Sequence, residues 1–124
     1  MAASTHPDPD VSTWAYIYEH PGADPWVDRS VLDRGPQRSI MVPVPEASVA
    51  PLVAQRLVAE DGVTLIELCG GFPLSDAARV VDAVGTQVPV GHVTFAVEAI
   101  QAAAAYNAHT IEAAEGRPAT TGAA

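Results

Sequence analysis

The chain has 124 residues and a mass of 12.9 kDa, which suits one compact domain and leaves too little for two. Hydrophobic residues make up 48% and charged residues 17%, and this composition argues against disorder as the main state. Six basic and fifteen acidic residues give a net charge of −9, which disfavours binding to nucleic acid or to an anionic membrane surface.

Two residue types narrow the possible chemistry further. All six basic residues are arginine, so the chain has no lysine for a Schiff base with a carbonyl substrate or with pyridoxal phosphate. The single cysteine, Cys69, excludes an intrachain disulfide and a multi-cysteine metal site.

Residues 1–12 lack a signal-peptide pattern, and no segment approaches the ~20 apolar residues of a spanning helix. We therefore expect a cytoplasmic protein.

Strand and helix patterns alternate along the chain. Strands are predicted at residues 14–19, 39–44, 63–69 and 88–95, because these segments are rich in β-branched, aromatic or other apolar residues. Helices are predicted at 25–34, 48–61, 75–84 and 97–114, with Asp24, Ser48 and Ser75 as N-caps of the first three. Residues 1–12 and 115–124 lack such patterns, so we expect mobile termini around a single domain at 13–114.

This alternation predicts an α/β fold with a four-stranded parallel sheet, a flavodoxin-like (βα)4 unit of strand order 2-1-3-4 followed by an alanine-rich helix. Pro43 cannot donate a ladder hydrogen bond, which favours an edge position for the second strand. Half of a (βα)8 barrel is the alternative. An apolar seam in the last helix predicts a homo-oligomer formed through that helix or through a sheet edge; its members are Val97, Ile100, Ala104 and Ile111.

Ligands of open parallel sheets bind beyond the carboxyl ends of the strands, at the point where the crossovers change direction. Here that point lies between the first and third predicted strands. The residues that leave these strands are Glu19 and His20, and Cys69, Gly70 and Gly71. The fourth strand can add His92 and Thr94.

Cys69 and Glu67 are the main catalytic candidates. Cys69 could act as a nucleophile whose oxyanion is held by the amides of Gly70 and Gly71, although a free cysteine more often fills a core. Glu67 shares a strand face with Cys69 and lies among apolar residues, which suits a general acid or base. An ion pair with Arg38 or Arg79, or a solvated position, explains Glu67 equally well.

His20 and His92 are further acid–base candidates. With Glu67 they could form a three-ligand metal set, but no H-x-x-x-H or H-x-H spacing supports one, so we predict no metal and no cofactor. His92 in an apolar strand is more often a hydrogen-bonded core residue, and His20 before Pro21 reads as a loop residue.

The remaining candidates would bind a small-molecule substrate. The turn at 70–75 precedes a helix N-terminus, where an anion could bind, although Asp76 would repel it. Tyr16 and Tyr18 could present hydroxyl groups to a pocket, or pack as core aromatics. The predicted substrate-binding set is Gly70, Gly71, Phe72, Tyr16, Tyr18 and Thr94.

Three segments resemble a family of small bacterial α/β proteins of unknown function. They are Ile-Glu-Leu-Cys-Gly-Gly-Phe at 66–72, Val-Pro-Val-Gly-His-Val-Thr-Phe at 88–95 and Pro-Gly-Ala-Asp-Pro at 21–25. The resemblance covers about residues 14–95, supports the fold and implies no known activity. The chain departs from the pattern at His92, where an aliphatic residue is usual, and after Phe95.

Three functions are compatible with these features. The first is a cofactor-independent enzyme on a small molecule, of the lyase, isomerase or cyclase type, in which Glu67 and a histidine move protons. The second is a non-catalytic metabolite-binding or oligomeric assembly module. The third, an electron carrier, rests on fold analogy alone. Clustering of ionisable residues at the expected crevice favours the enzyme.

Overall fold

The computed structural model describes residues 8–116, which form two compact units divided between Val93 and Thr94. Most of the termini predicted to be mobile, at 1–12 and 115–124, lies outside the described residues. The described strands are β1 (Ser12–Glu19), β2 (Ser30–Arg34), β3 (Gln37–Val44), β4 (Leu65–Leu68) and β5 (Val90–His92). The described α-helices are α1 (Ala50–Asp61), α2 (Leu74–Val84) and α3 (Ile100–Gly116).

The sheet of the first unit has the strand order β2-β3-β1-β4-β5. β1 is central and pairs in parallel with β3 and β4, β4 pairs in parallel with β5, and β2 pairs antiparallel with β3. The predicted four-stranded parallel sheet is therefore wrong, because the sheet is mixed and has five described strands. The four predicted segments do form neighbouring parallel strands, but a flavodoxin-like fold is not confirmed, and the sequential strand order of a half-barrel is not observed.

A hairpin strand stands where a helix was predicted at 25–34. Asp24 does cap one turn, since its Oδ1 accepts hydrogen bonds from the backbone N–H groups of Trp26 and Val27 at 2.8 and 3.2 Å. Trp26 packs against the core, but the predicted apolar face of Val27 and Val31 is 78% and 43% exposed, so no buried face extends the turn into a helix. The chain instead enters β2, which joins β3 through the two-residue loop Gly35-Pro36, with Gly35 at φ 61°.

The added strand also makes the edge position predicted for Pro43 wrong. β3 lies inside the sheet, between β2 and β1. Pairing with β2 ends at Met41, so Pro43 lies beyond the paired part of that ladder. An interior strand can therefore contain a proline without losing a hydrogen bond to β2.

Both helices of the first unit pack on one side of the sheet. α1 begins with Pro51 in its first turn and ends at Gly62, which has φ 69°, and α2 begins after Pro73 rather than at the predicted cap Ser75. Their buried side chains meet alternate residues of the three central strands. This core includes Ala15, Ile17, Ile40, Val42, Val44, Val53, Leu57, Ile66, Leu68, Phe72 and Val80.

The second unit contains α3, which begins after a 3-10 turn at Val97–Ala99. Residues Ile100, Tyr106 and Ile111 of this helix are exposed. Homo-oligomer formation through it stays a prediction. None of the helices at 8–116 is long and apolar enough to cross a membrane.

Candidate functional site

The carboxyl ends of β1 and β4 lie side by side. Ile17 pairs with Leu68, and the N–H of Cys69 donates to the carbonyl of Ile17 at 3.1 Å. The chain therefore leaves both strands at the same end of the sheet, where Glu19 is the last residue of β1 and Cys69 directly follows β4. The two strand ends at which the sequence pattern predicted a crevice are therefore adjacent, and the ligand crevice itself stays a prediction.

The sheet has a second surface, which we call the aromatic face. It carries Trp14, Tyr16 and Tyr18 of β1, which alternate with the buried residues Ala15 and Ile17. The rings of Tyr16 and Tyr18 stack with centroids 6.1 Å apart. Neighbouring strands add further side chains to this face, among them Ser39, Met41, Leu65 and Glu67. Neither α1 nor α2 packs on this side.

Glu67 lies in the middle of the aromatic face. Its register partners are Tyr16 on β1 and Gly91 on β5, and a Cβ atom placed on Gly91 would lie 3.6 Å from Cγ of Glu67. The ion pairs of the described residues do not include Glu67, since Arg38 pairs with Asp33 and Asp61, and Arg79 pairs with Asp76. The Glu67 carboxylate is thus exposed to solvent or to a ligand.

Tyr16 is held in its protonated form by its surroundings. Partial burial raises the pKa of Tyr16 above its ordinary value of 10.0, and the negative charges of Cys69 and Glu67 raise it further. Tyr16 is therefore within electrostatic range of Glu67, its neighbour on β4, and of Cys69, which directly follows β4. A neutral tyrosine beside a carboxylate combines a hydrogen-bond donor with a proton acceptor.

Gly71 leaves space between two reactive side chains. A Cβ atom at this position would lie 3.5 Å from Oε1 of Glu19 and 3.8 Å from Sγ of Cys69. Both distances are ordinary van der Waals contacts, so the carboxyl group of Glu19 and the thiol of Cys69 border the same point beside Gly71. Cys69 itself is half-buried, so part of its side chain packs against the core and part is accessible to solvent.

Among the carboxyl groups, Glu19 is the acid–base candidate whose pKa is clearly raised by its surroundings. Burial raises its pKa above the ordinary value of 4.5, and the negative charge of Asp76 in the first turn of α2 raises it further. Asp76 also binds Arg79 at 3.1 Å. A raised pKa makes Glu19 a better proton donor near neutral pH.

We expect Glu19→Gln to increase stability at pH 7 and to have little effect below about pH 4. A group whose pKa is higher in the folded state favours folding when it is protonated, and this contribution is lost as the pH rises through its folded pKa. The gain at pH 7 should be under about 1 kcal/mol, because solvent screens a side chain this exposed. Denaturant unfolding at both pH values measures it, with the exposed Glu46→Gln as the control. Equal effects at the two pH values would contradict the raised pKa.

The structure separates His92 from the aromatic face, whereas His20 shares a cleft with Tyr18 of that face. His92 pairs with Leu68 on β5 and alternates with Gly91, so it lies on the side of the sheet that the helices cover. Its Nε2 atom is buried and has no hydrogen-bond partner among the described residues. His20 follows β1 and lines an exposed cleft of about 370 Å³ with Tyr18, Asp28 and other loop residues.

The other predicted site residues are divided among three places. Gly70 and Gly71 form the exposed turn after β4, as predicted, whereas Phe72 is 2% exposed and belongs to the core. Thr94 lies beyond β5, at the start of the second unit. Within residues 8–116, no group of three His, Cys, Asp or Glu side chains converges in a way that could hold a metal ion.

Sequence reasoning placed Glu19 at the expected crevice but gave it no catalytic role, and it assigned no role to Trp14. Glu19 is the last residue of β1 and stands next to His20, which drew attention because histidine titrates near neutral pH. Trp14 begins the aromatic alternation of β1 and was counted only as a strand former. In both cases the two-residue period of the strand was the available signal. It places Glu19 on the face opposite to Tyr18, and it places Trp14 on the same face as Tyr16.

Comparison with known proteins gives a family but no activity. No curated protein matches the chain, and no solved structure matches it. The sequence-family model described as "Family of unknown function (DUF6506)" matches residues 12–108, from β1 into α3. The match extends beyond both ends of the segment 14–95, over which the sequence resembles a family of unknown function. This match covers more than half of the sequence. The chain therefore belongs to this family of unknown function.

Proposed function

We propose that the protein is a cofactor-independent cytoplasmic enzyme that moves a proton on a small organic substrate, in a reaction of the lyase, isomerase or cyclase type. The observation that carries the proposal is the meeting of Tyr16, Glu67 and Cys69 on the aromatic face, with a raised pKa at Tyr16. Perturbed ionisable groups that cluster in this way are typical of catalytic sites.

The proposed roles follow from the chemistry of each group. Glu67 removes a proton from a carbon next to a carbonyl group, because its carboxylate is exposed and pairs with no arginine among the described residues. Tyr16 stays protonated and donates a hydrogen bond to the oxygen on which negative charge develops. Glu67 then returns the proton, or one exchanged from solvent, to the substrate, because Glu19 lies on the opposite face of β1 from Tyr16.

Proton exchange with solvent tests this proposal before the substrate is known. A panel of 2-oxo acids, ketones and hydroxy acids is incubated with the protein in D2O, and loss of the α-proton signal is followed by NMR. We expect at least one compound to lose this signal faster with the wild type than with Tyr16→Phe or with buffer. If every compound exchanges equally in all three, the proposal is wrong, and a non-catalytic binding module becomes the better description.

A further inference from the structure

A second recess lies at the opposite end of the aromatic face from the crevice. It has a volume of about 440 Å³ and lies near the amino ends of β1, β3 and β4. Sites for small molecules commonly have volumes of roughly 300–1,000 Å³, so this recess has a suitable size. We call it the Trp14 cleft, and its lining consists of Ser12, Thr13, Trp14, Gln37, Thr64, Leu65 and Glu67.

The indole of Trp14 is fixed in the wall of this cleft. Its Nε1–H donates to Oγ of Ser39 on β3 at 2.6 Å, which directs the ring nitrogen toward that strand. On the other side, Trp14 pairs with Leu65 of β4, and Glu67 is the next residue of β4 on the same face. An anchored aromatic ring and a carboxylate therefore border the same space.

The charge around the cleft favours a positively charged ligand. Among the described residues that line it, Glu67 is the single charged side chain and there is no arginine. The whole chain has a net charge of −9 and no lysine. Aromatic faces attract ammonium groups, and a nearby carboxylate adds to this attraction.

We propose that the Trp14 cleft binds a small organic ammonium ion. The ammonium group lies against Trp14 and near the Glu67 carboxylate, and the polar side chains of Ser12 and Gln37 are available to hydroxyl or carbonyl groups of the ligand. The Thr64 hydroxyl donates to the carbonyl of Thr13 at 3.2 Å and can still accept a hydrogen bond from the ligand. The Trp14 cleft shares Glu67 with the proposed proton-transfer site beside Tyr16, but ligand binding in the cleft requires no catalysis.

Choline and its neutral analogue 3,3-dimethylbutan-1-ol test the proposal because they share shape and differ in charge. Titration of each with the wild-type protein, followed by broadening of the ligand methyl NMR signal, gives both dissociation constants. We expect choline to bind roughly 10-fold more tightly than the analogue. Glu67→Gln should remove this preference and Trp14→Leu should weaken choline binding by a similar factor. The exposed Glu60→Gln on α1 is the matched charge control and should leave binding unchanged.

Further variants separate this inference from the proposed catalytic function. Tyr16→Phe and Cys69→Ser should retain choline binding, whatever they do to proton exchange. Trp14→Phe keeps an aromatic ring and should retain most of the affinity, which guards against a folding defect in Trp14→Leu. Equal affinities for choline and the analogue, no saturable binding of choline, or equal effects of Glu67→Gln and Glu60→Gln would each overturn the proposal.

Discussion

Glu67→Gln is expected to lower the rate of α-proton exchange about 10²–10⁴-fold, the usual contribution of a general base. Glutamine has nearly the same shape as glutamate but does not accept a proton from carbon. Glu67 is exposed and makes none of the ion pairs found among the described residues, so the substitution should leave the fold intact. The measurement is the loss of the substrate α-proton NMR signal in D2O.

Glu60→Gln is the control for this prediction. Glu60 is exposed on α1, where it pairs with Arg56 at 3.2 Å, and its loss removes one negative charge away from the aromatic face. The thermal unfolding midpoints of both variants should stay close to that of the wild type. A Glu67→Gln protein that exchanges protons as fast as Glu60→Gln would exclude Glu67 as the base.

The second large effect is on stability. Ile17→Ala should lower the free energy of unfolding by about 2–5 kcal/mol, because it removes a fully buried side chain from the central strand. Ile17 pairs with Val42 on one side and Leu68 on the other, so the cavity opens where β1, β3 and β4 meet. Folded domains are stable by only about 5–15 kcal/mol, and denaturant unfolding will therefore show a clear shift of the midpoint.

Two substitutions calibrate that result. Ile17→Val removes one methylene group and should cost about 0.5–1.5 kcal/mol. Val31→Ala removes apolar atoms from the exposed strand β2, where Val31 is 43% exposed, and should change stability by about 0.5 kcal/mol or less. If Ile17→Ala costs no more than Val31→Ala, Ile17 does not lie in the core described here.

The strands were predictable where a period of two or an apolar run was strong. Residues 14–19 alternate between aromatic and small or aliphatic side chains, and they form the central strand with its two different faces. The helix at 25–34 was wrongly predicted because Asp24 and Pro25 form a good helix start, and Asp24 does cap one turn. Whether such a turn continues depends on a surface to cover, and local sequence does not contain that information.

The candidate site was predictable in part for a similar reason. Glu67 lies in β4 and Cys69 directly follows this strand, and the parallel pairing of β4 with β1 places both residues near Tyr16. His92 was grouped with them because a strand pattern reveals its two faces but not which one the helices cover. The register of β5 against β4 decides this, and it places His92 opposite Leu68 on the covered side.

The proposed function depends on the electrostatic interaction of Tyr16 with Glu67 and with Cys69. Its most direct test is a pH titration of the ¹³Cζ signals of labelled tyrosine in the wild type, Glu67→Gln and Cys69→Ser. We expect the pKa of Tyr16 to lie above its ordinary value of 10.0 and to fall in both variants, because each substitution removes a neighbouring negative charge. A Tyr16 pKa that stays at the ordinary value of 10.0 and moves in neither variant would contradict the proposed interaction.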